Sequence, residues 1–475
     1  MNNTLNCRDT EIEVTPYKPF ANDMLNRERF ASTLDSVVEL YSDTGCVLSL
    51  NGEWGSGKTT FVRMWRQHLI DNGFKTLYFN AWKTDFLDDA LTALLGELKD
   101  EFPNNEHIKS IVAKGAKLSL CVTEAIINGF LHKVTGIKAE ALSAAVSSIK
   151  EQFADSVESY AKRKSDLEDF KQSLSELVAS ESNGKPVVFF IDELDRCKPN
   201  YAVQVLERVK HLFEVPNIVF IVAVNEDQLQ YAVQGFYGSC NINGKEYLRR
   251  FFDITITLPT PNLFEYAKTL YRKHNFESFF RAQQEHSHSN SHRDEDYFIG
   301  FAGDILTGSN MNLRLANKIF AYTRLALYGF PYGTTIRANT FFLLCYIKET
   351  NSDLFNALKN GVFSIQGLVS ELENKLPDGI FSKETDLFTP HHIAWAIAEL
   401  IVYYSYSDRG IKREPNFKGT KTENDNLLNF PIITNKIDKS LLDEALSHIM
   451  NSEIDYMHGL KHIIEKIELN INLTF

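Results

Sequence analysis

The chain has 475 residues, 44% of them hydrophobic and 24% charged, with a net charge of -12. This is the balance of a soluble globular protein with room for about two to four domains. The acidic total argues against a generally basic nucleic-acid binder and leaves open only a local basic face.

The six cysteines (Cys7, Cys46, Cys121, Cys197, Cys240 and Cys345) include no C-x-x-C pair. That spacing suits a reducing cytoplasm better than a disulfide scaffold or zinc site. Residues 1–14 are polar and do not read as a signal peptide. Residues 118–131 and 392–404 are apolar, but they hold Glu124 and Glu399 and fall short of the roughly 20 apolar residues a membrane span needs. Both read as buried helices.

In chain order, residues 26–40 predict a helix burying Phe30, Leu34, Val37 and Val38. Residues 46–50 then predict a buried strand. Residues 52–59 fit G-x-x-x-x-G-K-[ST], and Phe61, Met64, Trp65, His68 and Leu69 recur at helical spacing up to Gly73. Strand, glycine-rich loop and helix are the context a phosphate-binding loop requires. Glycines let successive N–H groups face phosphate oxygens, and the helix N-terminus adds its positive dipole end. The nucleotide-binding candidates are Gly52, Glu53, Trp54, Gly55, Ser56, Gly57, Lys58, Thr59 and Thr60. Lys58 offers a point charge to the β- and γ-phosphates, and Thr59 offers a hydroxyl to Mg²⁺.

Residues 75–82 predict an aromatic-rich second strand. Asp85, Asp88 or Asp89 is placed to cap a helix whose Leu91, Leu94, Leu95 and Leu98 share a face. Across residues 142–177 apolar positions repeat at steps of four and three, interrupted at Lys164. This heptad-like seam reads as one or two amphipathic helices on the core, ahead of an inter-chain coiled coil. Residues 186–191 predict a fully apolar strand ending in Asp192 and Glu193, a helix follows, and residues 218–224 predict another buried strand ending at Asn225. Residues 253–258 predict the last strand. Apolar strands alternating with helices argue for a parallel sheet covered on both faces.

Asp192, at a strand's carboxyl end, is placed to hold the Mg²⁺ water shell. Glu193, one residue on, would face the other way and polarise an attacking water. Asn225 would orient that water or contact the γ-phosphate, or simply form a turn. Arg249 and Arg250, before the last strand, would reach a γ-phosphate across a subunit interface, or remain a solvated pair. Arg314, near the start of an amphipathic stretch at 311–327, would reach the nucleotide from a helical lid. His286, His288 and His292 lie in a polar stretch that reads as a solvated loop rather than a metal site.

These residues together give a resemblance. GEWGSGKTTF (52–61), FNAW (79–82), VVFFIDELDRC (187–197), GKEYLRRFFDITITLP (244–259) and the lead-in NDMLNRERFA (22–31) resemble the KAP-family P-loop NTPases, over roughly residues 20–330. The resemblance implies an α/β fold of the additional-strand P-loop type, with ATP as nucleotide and Mg²⁺ as metal. The expected organisation is an NTPase core over 1–258 with a helical insert at 103–182, a helical lid at 259–330 and an α-helical region at 331–475. Many family members carry membrane spans where this chain has its polar helical insert, so no membrane span is expected. Members occur in bacterial anti-phage defence, which implies protein effector partners.

The favoured expectation is a cytoplasmic Mg²⁺-dependent ATPase. An ATP-gated, homo-oligomerising scaffold with slow hydrolysis and a DNA-stimulated ATPase are the alternatives.

Overall fold

The computed structural model describes residues 12–87, 89–118, 156–182, 184–238, 241–286, 292–328, 338–381, 389–405, 432–451 and 460–468. The chain divides into two compact units, one spanning Glu11–Pro259 and the other built chiefly from Thr260–Phe475.

In the first unit, α1 (Glu28–Leu40) leads into β1 (Cys46–Asn51), α2 (Lys58–Asp71) and β2 (Thr76–Asn80). A short α3 (Ala81–Thr84) is followed by α4 (Ala90–Glu101), α5 (Glu106–Leu118) and α6 (Ser156–Glu181). Then come β3 (Val187–Asp192), α7 (Pro199–Leu212), β4 (Ile218–Val224), α8 (Glu226–Tyr237), α9 (Gly244–Leu248) and β5 (Ile254–Thr257). The five strands form one parallel sheet in the order β2-β3-β4-β1-β5.

Side-chain alternation sorts each central strand between two cores. Val187, Phe189 and Ile191 of β3 join the leucine face of α4, with Phe170, Leu174 and Leu177 of α6. Val188 and Phe190 face the other way, onto Phe61, Met64 and Trp65 of α2 and Leu34 of α1. Trp65 also donates from Nε1 to Asp35 of α1 at 2.8 Å. The edge strand β5 is only half covered, which accounts for its short length and its alternating exposed threonines.

The register does the positioning. β4 lies between β1 and β3, pairing Asn51 with Val224 and Asp192 with Ala223. The carboxyl ends of β1, β3 and β4 therefore stand level, and whatever leaves them meets at one edge of the sheet. β4 is the additional strand that the resemblance implies.

Some expected boundaries move. The second strand stops at Asn80, because the Asn80 side chain accepts from the Lys83 N–H and caps α3. Asp89 is the cap of α4, Asp85 begins a 3-10 turn, and Asp88 lies outside the described residues. The helix α6 runs unbroken through Lys164, so the interruption there is one of apolar pattern and not of backbone. Residues 142–155 of the heptad-like seam, residues 119–131 of the apolar stretch, His288, and Cys7, Cys121 and Cys240 lie outside the described residues. Cys46, Cys197 and Cys345 are free and buried.

The second unit is helical, from Leu263–Lys273 to Leu460–Ile467. Its core holds Phe276 against Phe298 with ring centroids at 4.7 Å, and Phe320 against Phe342 at 5.1 Å. Glu399 is tolerated inside the apolar helix Thr389–Ser405 because it accepts from the Thr340 hydroxyl at 2.7 Å. Among the described residues no helix is long and apolar enough to cross a membrane. None of their His, Cys, Asp and Glu groups could hold a metal ion as a cluster of three.

Candidate nucleotide site

The loop from β1 to α2 is shaped by its glycines. Gly55 and Gly57 have φ of 79° and 84°, a left-handed backbone that a side chain disfavours. A Cβ on Gly52 would come within 3.0 Å of Ser56 Oγ. Because α2 starts at Lys58, the unpaired N–H groups of its first turn open into this loop.

Lys58 is buried, and its ammonium donates to the carbonyls of Gly52 (2.5 Å) and Glu53 (3.1 Å). Burial lowers its pKa from the ordinary lysine value, and Asp195 and Asp192 partly oppose that. Ser56 Oγ is buried without a hydrogen-bond partner. A loop with an orphaned hydroxyl and an ammonium turned back on its own carbonyls has donors to give to an anion.

Asp192 closes β3 and is 1% exposed. It accepts from the Tyr78 hydroxyl at 2.9 Å, from the Glu193 N–H at 2.9 Å and from the Thr59 side chain. Burial pushes its pKa above the ordinary carboxylate value, and the hydrogen bonds from Tyr78 and Thr59 offset part of the rise. Thr59 on α2 and Asp192 on β3, 133 positions apart in sequence, are thus in direct contact.

Glu193 does not continue the strand. Its φ of 61° turns the chain, so strand alternation no longer sets its direction. Both carboxylate oxygens are held: Asn80 Nδ2 donates to Oε2 at 2.7 Å, and Arg196 donates to Oε1. The Arg196 guanidinium also lies over the Trp82 ring, 5.5 Å from its centroid. The neighbouring acid, Asp195, reaches the other way. Its Oδ2 accepts from Trp54 Nε1 and from the Asn225 N–H, both at 2.8 Å. Asn225 is buried, and its Oδ1 caps α8 by accepting from Gln228 N–H.

The loop residues Gly52 to Thr60, Asp192, Glu193 and Asn225 therefore gather at one edge of the sheet. Arg249 and Arg250 do not join them. Arg249 pairs with Glu246 on the surface at 2.9 Å, and Arg250 is exposed. Both precede β5, whose first residue pairs with Leu48 in the middle of β1, whereas the loop leaves the far end of that strand. Arg314 is exposed on the helix Leu313–Ala326 of the second unit. Sequence reasoning missed Tyr78, Asn80, Asp195 and Arg196. Only the third acid of the DELDR run gave a local signal.

A parallel sheet of this strand order, with a strand–glycine loop–helix beside an acidic strand end, defines a P-loop NTPase domain. Comparison with known sequences makes the class specific. The chain belongs to the KAP family, whose P-loop domain matches residues 27–324. It is similar to the uncharacterized protein MJ0182 of Methanocaldococcus jannaschii, with 30% identity over 177 residues, covering 31% of this chain and 88% of that one. Among solved structures it is similar to the Aeropyrum pernix ORC2 protein in its ADPNP-ADP complexes. The TM-score there is 0.37 and the identity 12%, over 76% of this chain and 79% of that one. The ADP form of the same protein matches with a TM-score of 0.33 and 11% identity, over 79% of this chain and 77% of that one. Similarity at that level carries no residue correspondence.

Proposed function

We propose that the protein is a Mg²⁺-dependent ATPase, hydrolysing ATP to ADP and phosphate. The observation that supports it most is the contact of the Thr59 hydroxyl with the buried Asp192 carboxylate beside Lys58.

The residues fit the implied groups. A triphosphate gives Lys58 and Ser56 Oγ partners that the loop alone does not supply. Asp192 carries a charge that burial disfavours, which a divalent cation would relieve. Thr59 and Asp192 are the residues that would hold Mg²⁺. When bound, it supplies neutralisation of charge on the β- and γ-phosphates. Lys58 and the first N–H groups of α2 bind and orient the phosphates. Glu193 takes a proton from water as its oxygen attacks the γ-phosphorus and the bridging P–O bond breaks. Asn80 and Arg196 each take one lone pair of a Glu193 oxygen, fixing the carboxylate while leaving lone pairs to accept the proton. Asn225 keeps its backbone N–H on Asp195 and its Oδ1 on the helix cap, so its Nδ2 is the group for the water or the γ-phosphate.

Arg249 or Arg250, being remote from their own chain's loop, would act on a neighbouring subunit's nucleotide. Arg314, on the helical lid proposed for residues 259–330, would gate turnover within the chain. Family membership supports coupling of ATP turnover to assembly with protein effectors, in anti-phage defence. The free cysteines support a reducing, cytoplasmic setting.

Phosphate release measured with Mg²⁺ and again with a chelator tests the reading. We expect turnover to fall at least about 100-fold when the metal is removed. Equal rates in both would overturn it.

A further inference from the structure

Arg27 immediately precedes α1 and is 4% exposed. Its Nη2 donates to the carbonyl of Ser56 at 3.0 Å and to the carbonyl of Pro259 at 3.2 Å. Its own backbone N–H donates to Asp23 Oδ2 at 2.5 Å. Among the described residues no ion pair joins its guanidinium to a carboxylate. Burial lowers its pKa to about 10, with Asp23 opposing, so it stays charged at neutral pH. Among the described residues its guanidinium hydrogen-bonds to carbonyls, with the Asp23 charge nearby, and burying such a cation is costly unless its charge or its geometry is used.

The geometry has a use at Ser56. This residue lies between Gly55 and Gly57, both in left-handed conformations, so the loop can turn its peptide groups freely. The peptide from Ser56 to Gly57 is planar and trans, so its C=O and N–H point in opposite directions. Drawing the Ser56 carbonyl toward Arg27 aims the Gly57 N–H away from Arg27. Gly57 directly precedes α2, whose first N–H groups face the same loop. The second bond anchors the arrangement. Pro259 is the last residue of the first compact unit, next to Leu258, whose N–H pairs with Asn51 at the foot of the loop.

We propose that Arg27 is a positioning residue for the phosphate-binding loop. It fixes the Ser56–Gly57 peptide with its N–H turned inward, and its buried charge adds positive potential behind the phosphate site. The proposal rests on the nucleotide reading above. Arg27 touches carbonyls and no phosphate, so it acts through the loop.

The test compares ATP binding to the full-length protein, in Mg²⁺, with Arg27→Met and Arg27→Lys. Met keeps much of the bulk and loses both charge and donors. Lys keeps the charge but cannot present a planar fork to two carbonyls. We expect Arg27→Met to weaken ATP binding at least about 10-fold and Arg27→Lys to recover part of that loss. The same substitutions should raise KM far more than they lower kcat. In hydrogen exchange, ATP should protect the amides of residues 55–58 in the unchanged protein and not in Arg27→Met. A merely structural role would lower Tm without this split or this change in protection. Folded Arg27→Met that binds ATP as the unchanged protein does would overturn the proposal and leave the nucleotide reading intact. If Arg27→Met does not fold, Arg27→Lys decides, and undiminished affinity there overturns the proposal. Failure of the unchanged protein to bind ATP would overturn both.

Discussion

Glu193→Gln is expected to retain ATP binding within about threefold while hydrolysis falls by roughly 10²–10⁴, the usual contribution of a positioned general base. Glutamine keeps the length of the side chain and an oxygen to accept from Asn80 or Arg196, so the turn after β3 is preserved. It cannot take a proton from water. Direct binding of ATP and phosphate release, measured on the same preparation, separate the two effects. Turnover equal to that of the unchanged protein would remove Glu193 from the reaction. Loss of binding would mean that Glu193 supports the site's shape rather than its chemistry.

Asp192→Asn is expected to stabilise the metal-free protein and abolish hydrolysis together. Burial raises the folded-state pKa of Asp192 above its unfolded value. The folded protein therefore binds that proton more tightly than the unfolded chain does, and the ionised carboxylate opposes folding. Its cost is absent below the unfolded pKa and appears as pH rises through the folded one. Asparagine stays neutral and keeps one oxygen to accept from Tyr78, at the cost of the bond its Nδ2 cannot accept from the Glu193 N–H. Its Tm should therefore exceed that of the unchanged protein at pH 8, with the gap narrowing in acid. Added Mg²⁺ with ATP should raise the Tm of the unchanged protein and leave the variant much less affected. Thermal melts at two pH values, with and without Mg²⁺ and ATP, check this. A lower Tm for the variant at pH 8 would contradict a charge strained by burial.

The parts of this site carried by short stretches were legible in the sequence. The loop after β1 shows itself because glycines, lysine and threonine must stand at fixed spacing between a strand and a helix. The run 187–192 shows itself because an interior parallel strand is apolar on both faces, which makes a terminal aspartate conspicuous. The residues that hold these groups in place were not legible. Tyr78 and Asn80 act on Asp192 and Glu193 across 114 and 113 positions, and Arg27 reaches Pro259 across 232. Such contacts follow from sheet order, and sheet order is not a local property of the chain. Glu193 illustrates the same limit. Strand alternation would turn it away from Asp192, but its positive φ ends the alternation there and lays its carboxylate beside β2. The heptad-like stripe of α6 left an inter-chain seam as the lesser reading, and burial of Phe170, Leu174 and Leu177 in the sheet's own core assigns that part of it to packing within the chain.

The central claim is that a triphosphate lies between Lys58 and the carboxylates that end β3. Calorimetric titration of Mg²⁺-ATP into the unchanged protein and into Lys58→Ala tests it most directly. The account predicts saturable one-site binding to the first, weakened at least about 100-fold in the second, since a charge-assisted contact to phosphate is lost from a buried site. Equal affinity in the two proteins, or no binding to either, would contradict it.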